Sequence, residues 1–274
     1  MSKKRKVRLE LTRRDFLALA GTAAGSAIAA QALTTGPLSP FAGLKQVQTE
    51  GGAAAEHASS QNRWGMVINL DTCIGCQYCT RACTAVNDVY TDKTWNIVAD
   101  DRTSTGAKFF FSRPCLHCTD APCVEVCPVK ATWKREDGLV VMDYDRCIGC
   151  RYCEVACPYD ARKFNWEARS DANPFEPTWG TPEVKRRPRG VVEKCTFCIQ
   201  RIDAGLAKGL TPGEDREATP ACVNICPVKA RTFGNLNNPD SKVSKVIAGN
   251  PTFRLREELG TGPGVYYIPP KEGL

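Results

Sequence analysis

Sixteen cysteines, all between Cys73 and Cys226 and gathered into four groups of four, constrain this 274-residue chain more than any other feature. The third group reads Cys147-Ile148-Gly149-Cys150-Arg151-Tyr152-Cys153-Glu154-Val155-Ala156-Cys157-Pro158, or C-x2-C-x2-C-x3-C-P. Three thiolates packed into seven residues can wrap one iron–sulfur cluster, while the fourth, one helical turn on, points to a different cluster. The other groups are variants of this run. Group one is Cys73, Cys76, Cys79 and Cys83, with Thr84 where Pro is usual. Group two is Cys115, Cys118, Cys123 and Cys127, with a wider x4 gap. Group four is split, with Cys195 and Cys198 separated by 23 residues from Cys222 and Cys226. Cysteines at i, i+3 and i+6 of one tight loop are poor disulfide partners. Tetrahedral zinc explains Cys-x2-Cys pairs but not the third and fourth cysteines, nor the Pro that follows three of the groups. Iron–sulfur clusters are therefore preferred over zinc and disulfides.

The apolar share of 42% already counts those cysteines, so the conventional core is modest and bound metal is expected to supply part of the stability. The formal charge of +7 argues weakly for nucleic acid. Residues 1–32 hold seven Lys/Arg against Glu10 and Asp15, and cluster ligands are thiolates. Four oxidised clusters would contribute roughly −8, leaving the loaded protein acidic.

The chain starts with a basic stretch, then Thr12-Arg13-Arg14-Asp15-Phe16-Leu17 and a weakly apolar Ala/Gly-rich run to Leu33. Paired arginines ahead of a short apolar segment are the twin-arginine export address. It resembles the pattern S/T-R-R-x-F-L, and Ala30-Gln31-Ala32 is a plausible cleavage site. The export expected is periplasmic or to the outer face of the cytoplasmic membrane. Residues 1–33 are read as this signal and 34–62 as a linker rich in Gly, Pro, Ala, Ser and Gln, with His57 solvated. Trp64 to Leu70 and Lys108 to Ser112 are expected strands leading into groups one and two. Ala131 to Lys134 and Leu139 to Asp143 read as a hairpin around Asp137-Gly138. Residues 165–189 are an insertion whose Lys185-Arg186-Arg187-Pro188-Arg189 run is a solvated loop or, more sharply, a contact for an acidic partner. Residues 237–274 form a C-terminal extension, mostly polar, with an extended Pro/Gly-rich tail from Gly262. No stretch after residue 34 has 18 apolar residues, so no membrane span is expected.

The chain also repeats itself. Asp71-Thr72-Cys73-Ile74-Gly75-Cys76 matches Asp145-Arg146-Cys147-Ile148-Gly149-Cys150. Three exits match: Cys127-Pro128-Val129-Lys130-Ala131, Cys157-Pro158-Tyr159-Asp160-Ala161 and Cys226-Pro227-Val228-Lys229-Ala230, each followed by an aromatic, Trp133, Phe164 or Phe233. These are ferredoxin half-units, and the aromatics are read as packing that keeps water from the clusters. A two-cluster ferredoxin exchanges its fourth cysteines between paired groups. Groups can pair one with two and three with four, or nested, two with three and one with four. The 19 residues between groups two and three, the shortest linker, favour nesting. The fold class expected is α+β: two bacterial-type two-cluster ferredoxin-like modules, nested in sequence, with loop insertions. Module one takes 64–114 and 190–236, and module two takes 115–164.

Four nested motifs behind a twin-arginine signal resemble the iron–sulfur electron-transfer subunit of complex iron–sulfur molybdoenzymes. Within that family it most resembles the branch of polysulfide, tetrathionate and dimethyl-sulfoxide reductases and the periplasmic nitrite-reductase electron-transfer proteins, over roughly residues 64–270. The resemblance implies that Cys73, Cys76, Cys79 and Cys226 hold one cluster, and Cys195, Cys198, Cys222 and Cys83 a second. Cys115, Cys118, Cys123 and Cys157 would hold a third, and Cys147, Cys150, Cys153 and Cys127 the fourth. With Cys at every ligand position, four [4Fe–4S] clusters are expected and no [3Fe–4S]. The implied role is a non-catalytic electron relay between a molybdopterin catalytic subunit and an integral-membrane quinone-reactive subunit on other chains, which would also hold it at the membrane. Two rivals stand beside it: a subunit of an exported nickel–iron hydrogenase or formate dehydrogenase, and a structural module whose clusters are redox-silent. His117, inside group two, is read as a structural hydrogen-bonder ahead of a cluster-tuning or quinone-site residue.

Overall fold

The computed structural model describes residues 62–271, so the twin-arginine segment, most of the linker with His57, and the last three residues lie outside the described residues. The fold is α+β, built from short strands and short helices around the cysteines. Strand β1 (Trp64–Asn69) runs into group one, whose last two cysteines lie on helix α1 (Tyr78–Val86). Strands β2 (Ile97–Arg102) and β3 (Lys108–Arg113) form a hairpin leading to group two and the one-turn helix α2 (Pro122–Glu125). Strands β4 (Thr132–Lys134) and β5 (Val140–Met142) form the expected hairpin into group three and helix α3 (Tyr152–Val155). Strand β6 (Arg162–Phe164) pairs with β7 (Val192–Lys194), which enters group four. Helix α4 (Ile199–Ala207) fills much of the split in that group, and α5 (Ala221–Asn224) carries Cys222. Strand β8 (Arg231–Asn235), helix α6 (Lys242–Ala248) and strand β9 (Val265–Ile268) complete the described chain.

The strand pairing has a simple logic. Each Cys-Pro exit feeds a strand that pairs antiparallel with a strand entering another group. Thus β4, after group two, pairs with β5, before group three, and β8, after group four, pairs with β1, before group one. Helix contacts repeat the scheme, α1 packing on α5 and α2 on α3. The strands β1 and β8 are joined in a three-stranded sheet by β9, which lies parallel to β1, Val67 opposite Tyr266. That strand comes from the tail expected to be merely extended. The sheet is covered on both faces, so β1 is apolar on both. Trp64, Met66 and Ile68 join the main core, while Val67 meets Val243 of α6 and Ile268 on the other side. The main core holds seven of the sixteen cysteines among Leu70, Leu116, Leu139, Phe197, Phe233 and Tyr267, so those seven sit inside the hydrophobic interior.

Two sequence details acquire a structural reason. Where Pro128, Pro158 and Pro227 follow the fourth cysteine, the helix stops at Glu125, Val155 and Asn224. Pro has no N–H and its ring clashes with the preceding turn. Thr84 carries no such block, so α1 runs through Cys83 to Val86, and the Thr84 carbonyl accepts a hydrogen bond from Asn173 of the insertion at 2.8 Å. The departure from Pro lengthens the helix. The basic run divides: Lys185 and Arg189 are exposed, as a solvated loop would be, whereas Arg186 and Arg187 are bound within the chain. Arg187 is buried, donating to Glu193 at 2.6 Å and to the Asn87 carbonyl at 2.5 Å, and Arg186 pairs with Asp88 at 2.8 Å. Arg186 and Arg187 fix residues 165–189 to the loop after α1. Replacing Thr84 by Pro should therefore destabilise the loaded protein by about 3 kcal/mol in a denaturant titration, and an unchanged midpoint would contradict this reading of α1.

Candidate metal centres

The loops that carry the cysteines are made by local hydrogen bonds at repeated positions. The side-chain oxygen Asn69 Oδ1 accepts from the backbone N–H of Asp71 and Thr72 at 2.9 and 3.2 Å. Asp143 Oδ1 does the same for Asp145 and Arg146 at 3.0 and 3.1 Å. These Asx turns reverse the chain into Cys73 and Cys147. Gly75 and Gly149 then adopt φ of 69° and 68°, the left-handed region, where a Cβ on Gly149 would lie 2.0 Å from the Gly190 carbonyl. At the exits Lys130, Asp160 and Lys229 are also left-handed, with φ of 51°, 50° and 54°. This turns the next amide back onto the cysteine. Ala131 N donates to Cys127 Sγ at 3.2 Å and Ala230 N to Cys226 Sγ at 3.3 Å, and Ala161 donates likewise to Cys157.

The cysteines are assembled across groups. One cavity is lined by Cys73, Cys76, Cys79 and Cys226, together with Arg231. Another is lined by Cys115, Cys118, Cys123 and Cys157, together with Arg162. Cys83 is buried within Coulombic reach of Cys195, Cys198 and Cys222. Cys153 lies near Cys147, and Cys150 is exposed beside them. Cys127 sits at the exit of group two, where α2 packs on α3. Cysteines expected in different sets also lie within Coulombic reach of one another. Cys222 feels Cys79, Cys195 feels Cys115, and Cys153 feels Cys123.

The donor chemistry fits [4Fe–4S] clusters. All sixteen cysteines are free thiols. Zinc needs four ligands around one point at about 2.3 Å for sulfur, whereas among the described residues no such group is placed to hold a single ion, and the Cys73 and Cys115 sets line cavities instead. Burial makes bare thiolates unfavourable here. It pushes the Cys118 and Cys222 thiols up to about 12, with neighbouring cysteines adding to the shift and hydrogen bonds opposing it. A cationic metal centre that binds such a sulfur displaces its proton to solvent, so loading and proton release are coupled.

Further polar groups surround the sulfurs. Asn96 Nδ2 donates to Cys79 Sγ at 3.1 Å, and Asn87 Nδ2 donates to Cys198 Sγ at 3.5 Å. Three buried cations, Arg162, Lys194 and Arg231, reach sulfur or the ligand backbone, and none of them stood out among the candidate residues of the sequence. Arg162 Nη2 donates to Cys123 Sγ at 3.1 Å and to Thr132 Oγ1 at 2.8 Å. Arg231 donates to Asn96 Oδ1 at 2.7 Å and to Ser112 Oγ. Lys194 Nζ donates to the Cys195 carbonyl at 2.8 Å. A signal for the arginines was present, since Arg162 and Arg231 each follow a repeated Cys-Pro-x-x-Ala run, where group two has Thr132. His117 is buried and held neutral by burial; Nδ1 accepts from Val140 N at 3.0 Å and the ring stacks on Phe197 at 3.9 Å. It is a hydrogen-bonding and packing residue sealed from the surface. Of the three exit aromatics only Phe233 is buried, Phe164 is partly buried against the main core, and Trp133 is 43% exposed.

Short strands, sulfur-lined cavities and repeated Cys-Pro exits define an iron–sulfur electron-transfer protein of the multi-cluster ferredoxin type. Family models agree: 4Fe-4S dicluster domains match residues 106–172 and 146–230, and a 4Fe-4S binding domain matches 64–85. Together with the sixteen cysteines they account for four [4Fe–4S] clusters. Among curated relatives, the menaquinone reductase iron–sulfur cluster-binding subunit of Nitratidesulfovibrio vulgaris is 41% identical, over 77% of this chain and 90% of its own. A polysulfide reductase subunit from Wolinella succinogenes is 36% identical, over 77% of this chain and 96% of its own. A tetrathionate reductase subunit from Salmonella typhimurium is 33% identical, over 96% of this chain and 90% of its own. The chain belongs to this family of electron-transfer iron–sulfur subunits of reductase complexes.

Two outcomes follow from the loop geometry. Gly149→Ala should lower stability by about 1–3 kcal/mol more than Gly260→Ala, since both glycines share a left-handed φ but only the first is crowded; equal unfolding midpoints would contradict it. Asn96→Leu removes a donor to Cys79, so the centre that Cys79 serves should become harder to reduce in a potentiometric EPR titration, by roughly 40 mV per kcal/mol of lost stabilisation.

Proposed function

We propose that this chain is an exported electron wire, passing single electrons between a molybdopterin catalytic subunit and a membrane quinone-reactive subunit on other chains. The observation that carries the reading is the serial order of the cysteine sets. The Cys73 set neighbours the Cys195 set, which neighbours the Cys115 set, which neighbours the Cys147 set. Exposure runs along the same series. Groups two and four are largely buried, whereas Ile74 and Tyr78 of group one and Ile148, Cys150, Tyr152 and Val155 of group three reach the surface. A relay needs its terminal centres near the surface and its inner ones dry.

A [4Fe–4S] cluster, when bound, supplies reversible one-electron chemistry within roughly −700 to +450 mV. This chain's residues do the rest. Sixteen cysteines fix the centres, and Leu116, Phe197 and Phe233 exclude water from the inner ones. The apolar rims of the end loops supply surfaces for the partner subunits. Nested modules, groups one with four and two with three, are supported by the pairing of β1 with β8 and of β4 with β5. The menaquinone reductase relative favours a quinone at one end, and the sulfur-compound reductases favour a catalytic subunit at the other. No helix among the described residues is long and apolar enough to cross a membrane, so attachment would come through a partner. The paired arginines Arg13 and Arg14 support export of an already loaded protein.

Stepwise reduction of the loaded chain followed by EPR is the test. Four reducible, magnetically coupled centres are expected, and centres silent across the biological range would reduce the clusters to staples. Molybdopterin, not nickel, should co-purify with the native complex. Cys83→Ser should alter the centre held by Cys195, Cys198 and Cys222; a change in the one held by Cys115, Cys118 and Cys123 would establish sequential pairing instead.

A further inference from the structure

A [4Fe–4S] cluster with four thiolates is an anion in both redox states, and burying anions without countercharge is strongly unfavourable. Six charged side chains of the described residues are buried: Asp137, Arg162, Arg187, Glu193, Lys194 and Arg231. Carboxylate–guanidinium pairing neutralises three of them, Arg187 with Glu193 and Asp137 with Arg135. That leaves Arg162, Lys194 and Arg231, and among the described residues none of the three has a carboxylate within ion-pair distance. Arg162 and Arg231 hydrogen-bond cysteine sulfur, and Lys194 donates to the Cys195 carbonyl within Coulombic reach of three cysteines.

Their positions are regular. Arg231 lines the cavity of Cys73, Cys76, Cys79 and Cys226 and also hydrogen-bonds Cys222 of the next set. Lys194 lies within reach of Cys195 on one side and of Cys115 and Cys123 on the other. Arg162 lines the cavity of Cys115, Cys118, Cys123 and Cys157 and also hydrogen-bonds Cys153 of the last set. Each gap in the series thus holds one cation that reaches both sides. The two arginines are held alike, with Arg162 Nη1 against Met142 Sδ at 2.9 Å and Arg231 Nη1 against Met66 Sδ at 3.7 Å.

We propose that these three residues are positioning charges, one per gap, and that each raises the reduction potentials of the two clusters flanking it together. This rests on the relay reading above. A charge between two centres favours the extra electron on either, so it keeps neighbouring potentials in step and lets the electron cross without a deep trap on one side. In a poorly screened interior the effect is long enough in range to reach both neighbours but weakens at the next centre along. Lys194 fills the middle gap, though burial works against its charge. The arginines keep theirs in any protein environment, so the test uses them.

The full chain, loaded with its clusters, is titrated potentiometrically with EPR detection as wild type, Arg162→Gln, Arg162→Lys and Arg231→Gln. At the wild-type midpoints, Arg162→Gln should lower the reduced-to-oxidised ratio tenfold or more at the two centres it flanks. For one electron that is a drop of about 59 mV or more. The other two centres should stay put, and Arg162→Lys should restore most of the loss. Arg231→Gln should do the same at the opposite end. If a Gln variant fails to load, iron analysis replaces the titration: loss confined to the two flanking centres supports the proposal, and loss of one, or of all four, overturns it. Unchanged potentials in a fully loaded variant, or a shift at one centre only, also overturn it and leave the relay reading intact. Centres that cannot be reduced in the wild type overturn the relay reading and this proposal with it.

Discussion

Sulfur held against iron inside an apolar interior is the interaction on which the rest of this structure depends. Seven of the sixteen cysteines belong to the main hydrophobic core, where bare thiolates are unfavourable and neutral thiols form weak hydrogen bonds. Holding those sulfurs as thiolates requires a cationic metal centre facing each set. That requirement explains why the secondary structure is so short. Helices α2, α3 and α5 are single turns, and β4 to β7 are three residues each. Elements of that length do not hold themselves together in water. They are held by ligation at one end and by a paired strand at the other.

Metal ligation also dictates the backbone. A cluster is approached from several sides at once, so the chain must turn sharply between successive ligands. Asx turns at Asn69 and Asp143, left-handed glycines at 75 and 149, and left-handed residues at 130, 160 and 229 make those turns. Several of these conformations are unfavourable for side chains other than glycine. The N–H···S hydrogen bonds from Ala131 and Ala230 offset part of that cost and also withdraw charge from the sulfur. Local strain, local hydrogen bonding and electronic tuning of the ligands are thus one arrangement.

Much of this was legible in the sequence because it is local. The cysteine spacings, the strands at Trp64 and Lys108, and the Asp137-Gly138 hairpin are set by residues close together in the chain. What was not legible depends on distant partners. Strand β9 is four residues in a Pro/Gly-rich tail, and its partner β1 lies about two hundred residues earlier. Strand β2 is polar and largely exposed, so it shows no alternation, and only its pairing with the phenylalanines of β3 makes it a strand. Arg162, Lys194 and Arg231 look like surface charges until the cysteines of another group are brought to them. Likewise Arg187 reads as part of a solvated run, and only the fold supplies Glu193 and the Asn87 carbonyl.

The central claim is that four clusters stand in single file, with the Cys73 set and the Cys147 set at the ends. Anomalous diffraction at the iron edge from crystals of the loaded protein tests it most directly. Four iron peaks in one row are expected, with Cys226 ligating the first, Cys83 the second, Cys157 the third and Cys127 the fourth. A compact or branched set of peaks, or Cys83 bound beside Cys115, Cys118 and Cys123, would contradict it.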